Sequence, residues 1–169
     1  MTKSLQILLV VTVLYGAVFL PAVVEAAEVQ VTWTNPDEYR DIHAGNGSKK
    51  HFRKNTFNDL EKHFSKLAEG LPENQMLEIE VTNIDLAGDV HLGGARQLRI
   101  IKDLYYPRFE FEFKLLAADD SVILTKKENI KDMAFMNNNH LKYRNKSLGF
   151  EKQLLDEWFQ KAFENQVMK

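Results

Sequence analysis

The segment R-F-E-F-E-F-K-L-L, residues 108–116, limits the fold more than any other stretch of this 169-residue chain. Phe109, Phe111, Phe113 and Leu115 alternate with Arg108, Glu110, Glu112 and Lys114, and a period of two sends successive side chains to opposite faces of a strand. One face is apolar and the other charged, so the strand belongs to a sheet buried on one side and wet on the other. Such a sheet needs a second layer over its aromatic face. Two stretches offer one. Phe57, Leu60, Phe64, Leu67 and Leu71 recur at helical spacing and predict a helix over 56–69, opened by Thr56 and Asp59 as a capping box and closed by Gly70 and Pro72. Phe150 to Phe163 predict a second helix.

The remaining segments fill in the sheet. Val29–Trp33 alternates as a strand, and Asp37–Ile42 after Pro36 reads as a short helical turn. His43–Lys54 is polar, basic and glycine-containing, an exposed loop. Gln75–Leu86 is a long strand, Ala87–Ala95 a turn or wide loop, Arg96–Lys102 a strand, and Val122–Lys127 the hairpin partner of 108–116. Asn129–Asn145 has packing residues but an Asn-rich tip. The order strand, helix, run of strands, helix predicts an α+β fold: an antiparallel β-sheet with helices packed on one face, in a single two-layer domain.

Residues 1–26 read as a cleaved signal peptide. Lys3 precedes an apolar run from Leu5 to Leu20, and the small-residue exit Val24-Glu25-Ala26 suits cleavage. The run is shorter than the ~20 residues that span a bilayer, which leaves 27–169 as the domain, with no membrane span after cleavage. The chain has no cysteine, so neither a disulfide nor an acylated N-terminal Cys is available, as suits a protein of an oxidising periplasm. A net charge of -2 gives no bulk attraction for nucleic acid. Oligomeric state leaves no mark in this sequence.

V-T-W-T-N-P-D-E-Y-R-D-I at 31–42, V-T-N-I-D-L-A-G at 81–88, Y-P-R at 106–108 and E-K-Q-L-L-D-E-W-F at 151–159 together resemble the domain-of-unknown-function 3016 family, exported proteins of Gram-negative bacteria. The resemblance covers nearly the whole of 27–169 and implies a periplasmic location and a single-domain build. It brings no activity, substrate or catalytic residue.

Candidate sites come from broken patterns. After Leu77, Ile79 and Val81, the polar Asn83 and Asp85 fall on the apolar phase of the strand. Either a β-bulge near 82–84 restores the phase by burying Ile84 and Leu86, or Asp85 is buried against Arg96, Arg99 or Arg108, or Asn83, Asp85 and these arginines form a ligand site. Of the histidines, His43, His51 and His63 are weak metal candidates, since none shows the helical i, i+4 pairing with a Glu. The basic run Lys49–Lys54 could grip a phosphate or an anionic polysaccharide, or be a solvated loop with Phe52 as a staple. The C-terminal helix spreads its apolar side chains over more than about 200° where one face needs about 100–140°. Trp158, Phe159 and Phe163 therefore meet either a second layer of the same domain or a partner. Glu151, inside that arc, neutralises the helix start or pairs with a base.

No activated-nucleophile signature and no phosphate-binding glycine loop is present, and nothing indicates a cofactor. The reading that follows is a non-enzymatic binding or envelope interaction module with an envelope protein partner. Its rivals are a small-ligand or metal-binding protein built on Asp85, and a hydrolase with carboxylate or histidine chemistry.

Overall fold

In a computed structural model of the chain, residues 27–43, 45–93, 96–137 and 142–164 are described, without the side chains of Leu92, Gly93 and Arg96. The leader expected over 1–26 lies outside the described residues. The strand that dominates the sequence is β5, Arg108–Leu116, at the predicted bounds. It pairs antiparallel with β2, Met76–Asp85, on one side and with β6, Val122–Lys131, on the other. The fourth strand, β1 (Glu28–Trp33), runs parallel to β2, so the order is β1-β2-β5-β6 and the sheet is mixed rather than wholly antiparallel. The α+β class stands. The parallel pair has a simple cause: helix α1, Lys49–Ala68, lies between β1 and β2 in the chain and carries it back.

Both helices cover one face. Phe109, Phe111, Phe113 and Leu115 of β5 and Leu77, Ile79 and Val81 of β2 are buried there with Leu60 and Phe64 of α1. The second helix, α2 (Gly149–Ala162), adds Leu154, Leu155, Trp158 and Phe159, and Phe163 follows it. The opposite face carries Glu78, Lys114, Glu112 and Lys127 in surface ion pairs. Among the described residues no helix is long and apolar enough to cross a membrane.

Three local expectations are corrected. Helix α1 begins at Lys49 rather than Thr56; Ser48 is its cap, its hydroxyl accepting from the His51 N–H. The basic run 49–54 is thus the first turn and a half of a helix and not a loop, because lysine and arginine are good helix formers once a cap is available. Asp37–Ile42 is not helical: Tyr39 sends its hydroxyl to the Val81 carbonyl, and Asp41 makes a parallel bridge to Asp85. This segment resumes the course of β1 alongside β2. Finally, Asp89–Gly93, inside the expected loop, is strand β3; it pairs antiparallel with β4, Arg96–Ile100, which is the strand expected over 96–102.

The V-T-N-I-D break is a bulge. Val81 opposes Phe111 and Asn83 opposes Glu110, so Thr82 is the extra residue. Its hydroxyl bonds the Glu110 carbonyl. Beyond it the phase reverses, and Ile84 and Leu86 are buried beside Phe109. Asp85 is turned toward the rim, a quarter exposed and 3.7 Å from the largely exposed Arg40.

Candidate functional site

Sequence reasoning asked for a buried carboxylate paired with an arginine near this bulge. One exists, but the carboxylate is Asp41. Arg99 of β4 donates from Nη1 and Nη2 to the two Asp41 oxygens at 2.7 and 2.9 Å, a bidentate geometry that a lysine cannot match. The same guanidinium donates to the carbonyls of Gly88 at 2.8 Å and His43 at 3.1 Å. One side chain therefore clamps the 41–43 segment, the exit of β2 and the hairpin. The other predicted site residues do not converge with it. Asn83 accepts from the Arg40 N–H, while Arg108 is engaged by Asn129 and Glu110. The side chain of Arg96 lies outside the described residues. Asp85 lies beside Asp41 in the sheet, and its side chain is ion-paired with Arg40.

The metal candidates are dispersed likewise. His51 bonds Asn55 within α1, His43 is exposed, and His63 is buried against α2. Among the described residues no three His or carboxylate groups could hold a metal ion. Trp158, Phe159 and Phe163 are corrected from an interaction surface to core: all three are buried, and the surplus apolar arc of α2 is covered from within the domain.

What Arg99 helps to build is a cleft of about 400 Å³ at the start of α2. Leu86, Ile101, Phe52, Leu148 and Phe150 supply apolar walls; Tyr143, Arg144 and Lys146 supply the other side. The geometry is held by backbone. Leu148 sits at φ 52 with no side-chain cap to offset the left-handed conformation, which costs about 1–2 kcal/mol for a residue with a Cβ. A Cβ at Gly149 would lie 2.6 Å from the Tyr143 carbonyl oxygen, so only glycine lets the 143–146 turn close onto the helix.

Two acids pin this wall, Asp156 buried and Asp59 about one-third exposed. Asp156 of α2 accepts from the Tyr143 hydroxyl at 2.9 Å, from Lys142, and from His63 Nε2 at 2.9 Å. Lys152 donates to Asp59 of α1 and to the Ser147 carbonyl. His63 Nε2 also faces the Lys152 carbonyl at 3.1 Å, so that nitrogen is occupied by two acceptors and cannot take a proton from a nucleophile. Burial lowers the affinity of the imidazole for a proton, with Asp156 opposing. The arrangement ties α1, α2 and the 142–147 segment together.

Glu151 lies against the cleft floor, where its carboxylate accepts from the Ala87 N–H at 2.8 Å. Burial pushes the carboxyl above the ordinary glutamate range, against the pull of that N–H and of Arg99 and Lys152. The native state thus holds the proton to higher pH than the unfolded chain does. In the unfolded chain the group ionises near 4.5, so its contribution is complete below that pH and is lost as pH rises through the raised native value. Glu151→Gln is expected to be at least as stable as the parent at pH 7, with a flatter stability profile above pH 4.5. Urea unfolding across pH 4–8 checks this; parallel profiles for the two proteins would contradict it.

Asp41 and Glu151 were visible as acids, yet their partners are set by long-range contacts that no periodicity encodes. Tyr143, Arg144 and Lys146 were missed. Their only signal is the run K-Y-R-N-K at 142–146, basic without an intervening acid.

The family model described as Protein of unknown function (DUF3016) matches residues 27–161, and the chain belongs to that family. No curated protein and no solved structure matches it.

Proposed function

We propose that this member of the domain-of-unknown-function 3016 family is a non-enzymatic binding module of the periplasm, and that its ligand is a small molecule held in the cleft at the start of α2. The carrying observation is the cleft itself: about 400 Å³, mainly apolar, with a few polar groups converging on it. Those are the features of a small-molecule site, whose volumes run from about 300 to 1,000 Å³. A small ligand is preferred over a protein partner because the aromatic residues that would anchor one, Trp158, Phe159 and Phe163, are spent on the core. The basic and apolar pattern of residues 1–26 supports an exported location.

The uncharged probe N-phenyl-1-naphthylamine tests the site. It is expected to bind saturably with enhanced fluorescence, and Ile101→Lys, on the partly exposed cleft wall, is expected to abolish binding while leaving the melting temperature within a few degrees, as surface changes do. Non-saturating fluorescence, or binding unaffected by the lysine, would remove the cleft as the site.

A further inference from the structure

We propose that the cleft takes a single-chain amphiphile with a small anionic head, its apolar body against Phe52, Ile101 and Phe150 and its carboxylate or phosphate at the mouth between Arg144 and Lys146. This rests on the binding reading above and gives the ligand its chemistry and direction. Both Arg144 and Lys146 are exposed on the cleft rim. Neither forms an ion pair among the described residues, whereas most other cations near the cleft are already committed: Arg99 to Asp41, Lys152 to Asp59 and Lys142 to Asp156. Two uncompensated cations beside an apolar hollow attract an anion, and a guanidinium meets a carboxylate or phosphate in a bidentate fork.

The floor sets the direction. Glu151 occupies it with an acid group, and the two cations near that group are committed, Arg99 to Asp41 and Lys152 to Asp59. An anionic head placed there would meet a carboxyl and a guanidinium whose charge Asp41 already offsets, with only its Nε–H unpartnered. The apolar end of the ligand therefore goes inward and the head stays at the rim, where it keeps part of its hydration and meets Arg144 and Lys146.

The test is calorimetric titration with decanoate, decyl phosphate, decanol and decyltrimethylammonium, all at monomeric concentrations. The two anions are expected to bind about tenfold or more tighter than decanol, the effect of one or two charge-assisted hydrogen bonds at a partly solvated rim. Comparing decanoate with decyl phosphate shows which head the rim prefers, and a preference for either supports the proposal. The double substitution Arg144→Gln with Lys146→Gln, both at exposed positions, is expected to bring the anions down to the affinity of decanol and to leave decanol unchanged. Decanol binding as tightly as both anions, the ammonium binding best, or an anion preference that survives the double substitution would overturn the inference while leaving the cleft a ligand site. Binding by none of the four amphiphiles, together with no saturable naphthylamine binding, would remove both readings.

Discussion

Replacing Arg99 by methionine is expected to cost about 3 kcal/mol or more, toward the lower end of the range for orphaning one member of a buried ion pair. The guanidinium is only one-fifth exposed, and the Asp41 carboxylate about one-tenth. Methionine keeps the aliphatic body but leaves Asp41 without its bidentate partner and frees the carbonyls of Gly88 and His43. Asp41→Asn is milder, because the guanidinium retains those carbonyls and an amide oxygen. The two changes should couple by about 1–3 kcal/mol in a double-mutant cycle. Asp85→Ala is the control. Its ion pair with Arg40 is long and solvent-screened, so the loss should stay within about 1 kcal/mol. Urea denaturation of the four variants decides: an Arg99→Met cost below that of Asp85→Ala would show that the clamp is not what holds the 41–43 segment to the hairpin.

That pairing also shows where sequence reasoning succeeded and where it stopped. The alternation of 108–116 placed β5 at the observed bounds and fixed which face is buried, since a strict period of two admits one solution. The V-T-N-I-D break announced a bulge or a buried Asp85 near an arginine; the bulge occurs there, Asp85 is turned to the rim, and the acid that an arginine holds is Asp41. The acid, however, is 58 residues from Arg99 in the chain, in a segment whose Pro36 start suggested a helical turn. Its extended course depends on the bulged end of β2, with Asp41 N–H donating to the Ile84 carbonyl. Local propensity contains no term for such a contact.

The same limit explains the start of α1 and the cleft. Gly45, Asn46 and Gly47 beside four cations suggested a loop, yet Ser48 caps a helix there and Phe52 extends the apolar stripe by one more turn. The cleft wall over 142–148 has no apolar period at all. It is held by polar contacts with Lys152 and Asp156 of α2, and a pattern made of distant hydrogen bonds is invisible to a search for amphipathic faces.

Trp158→Ala is expected to have an effect as large as any, a loss of about 3–5 kcal/mol, the range for deleting a buried aromatic side chain. The indole is the hub of the core. Its ring stands edge-to-face against Phe111 at 4.8 Å and Phe113 at 5.3 Å from the sheet, Phe163 at 5.8 Å beyond α2, and Phe64 at 6.4 Å from α1. Such contacts add to the burial itself, at about 0.5–1.5 kcal/mol per pair. With a total stability of about 5–15 kcal/mol for a domain of this kind, the alanine variant should be poorly folded at 37 °C. Trp158→Phe separates shape from polarity. The buried indole N–H has no acceptor among the described residues, so phenylalanine removes an unsatisfied donor while giving up volume, and the two effects oppose. Its cost should be less than half that of alanine. Denaturation of both variants measures this, and it discriminates between the two roles that the sequence allows the residue. A core hub loses stability in the order Ala before Phe; an interface anchor would leave the isolated protein's stability nearly unchanged in both, which the burial of Trp158 between sheet and helix argues against.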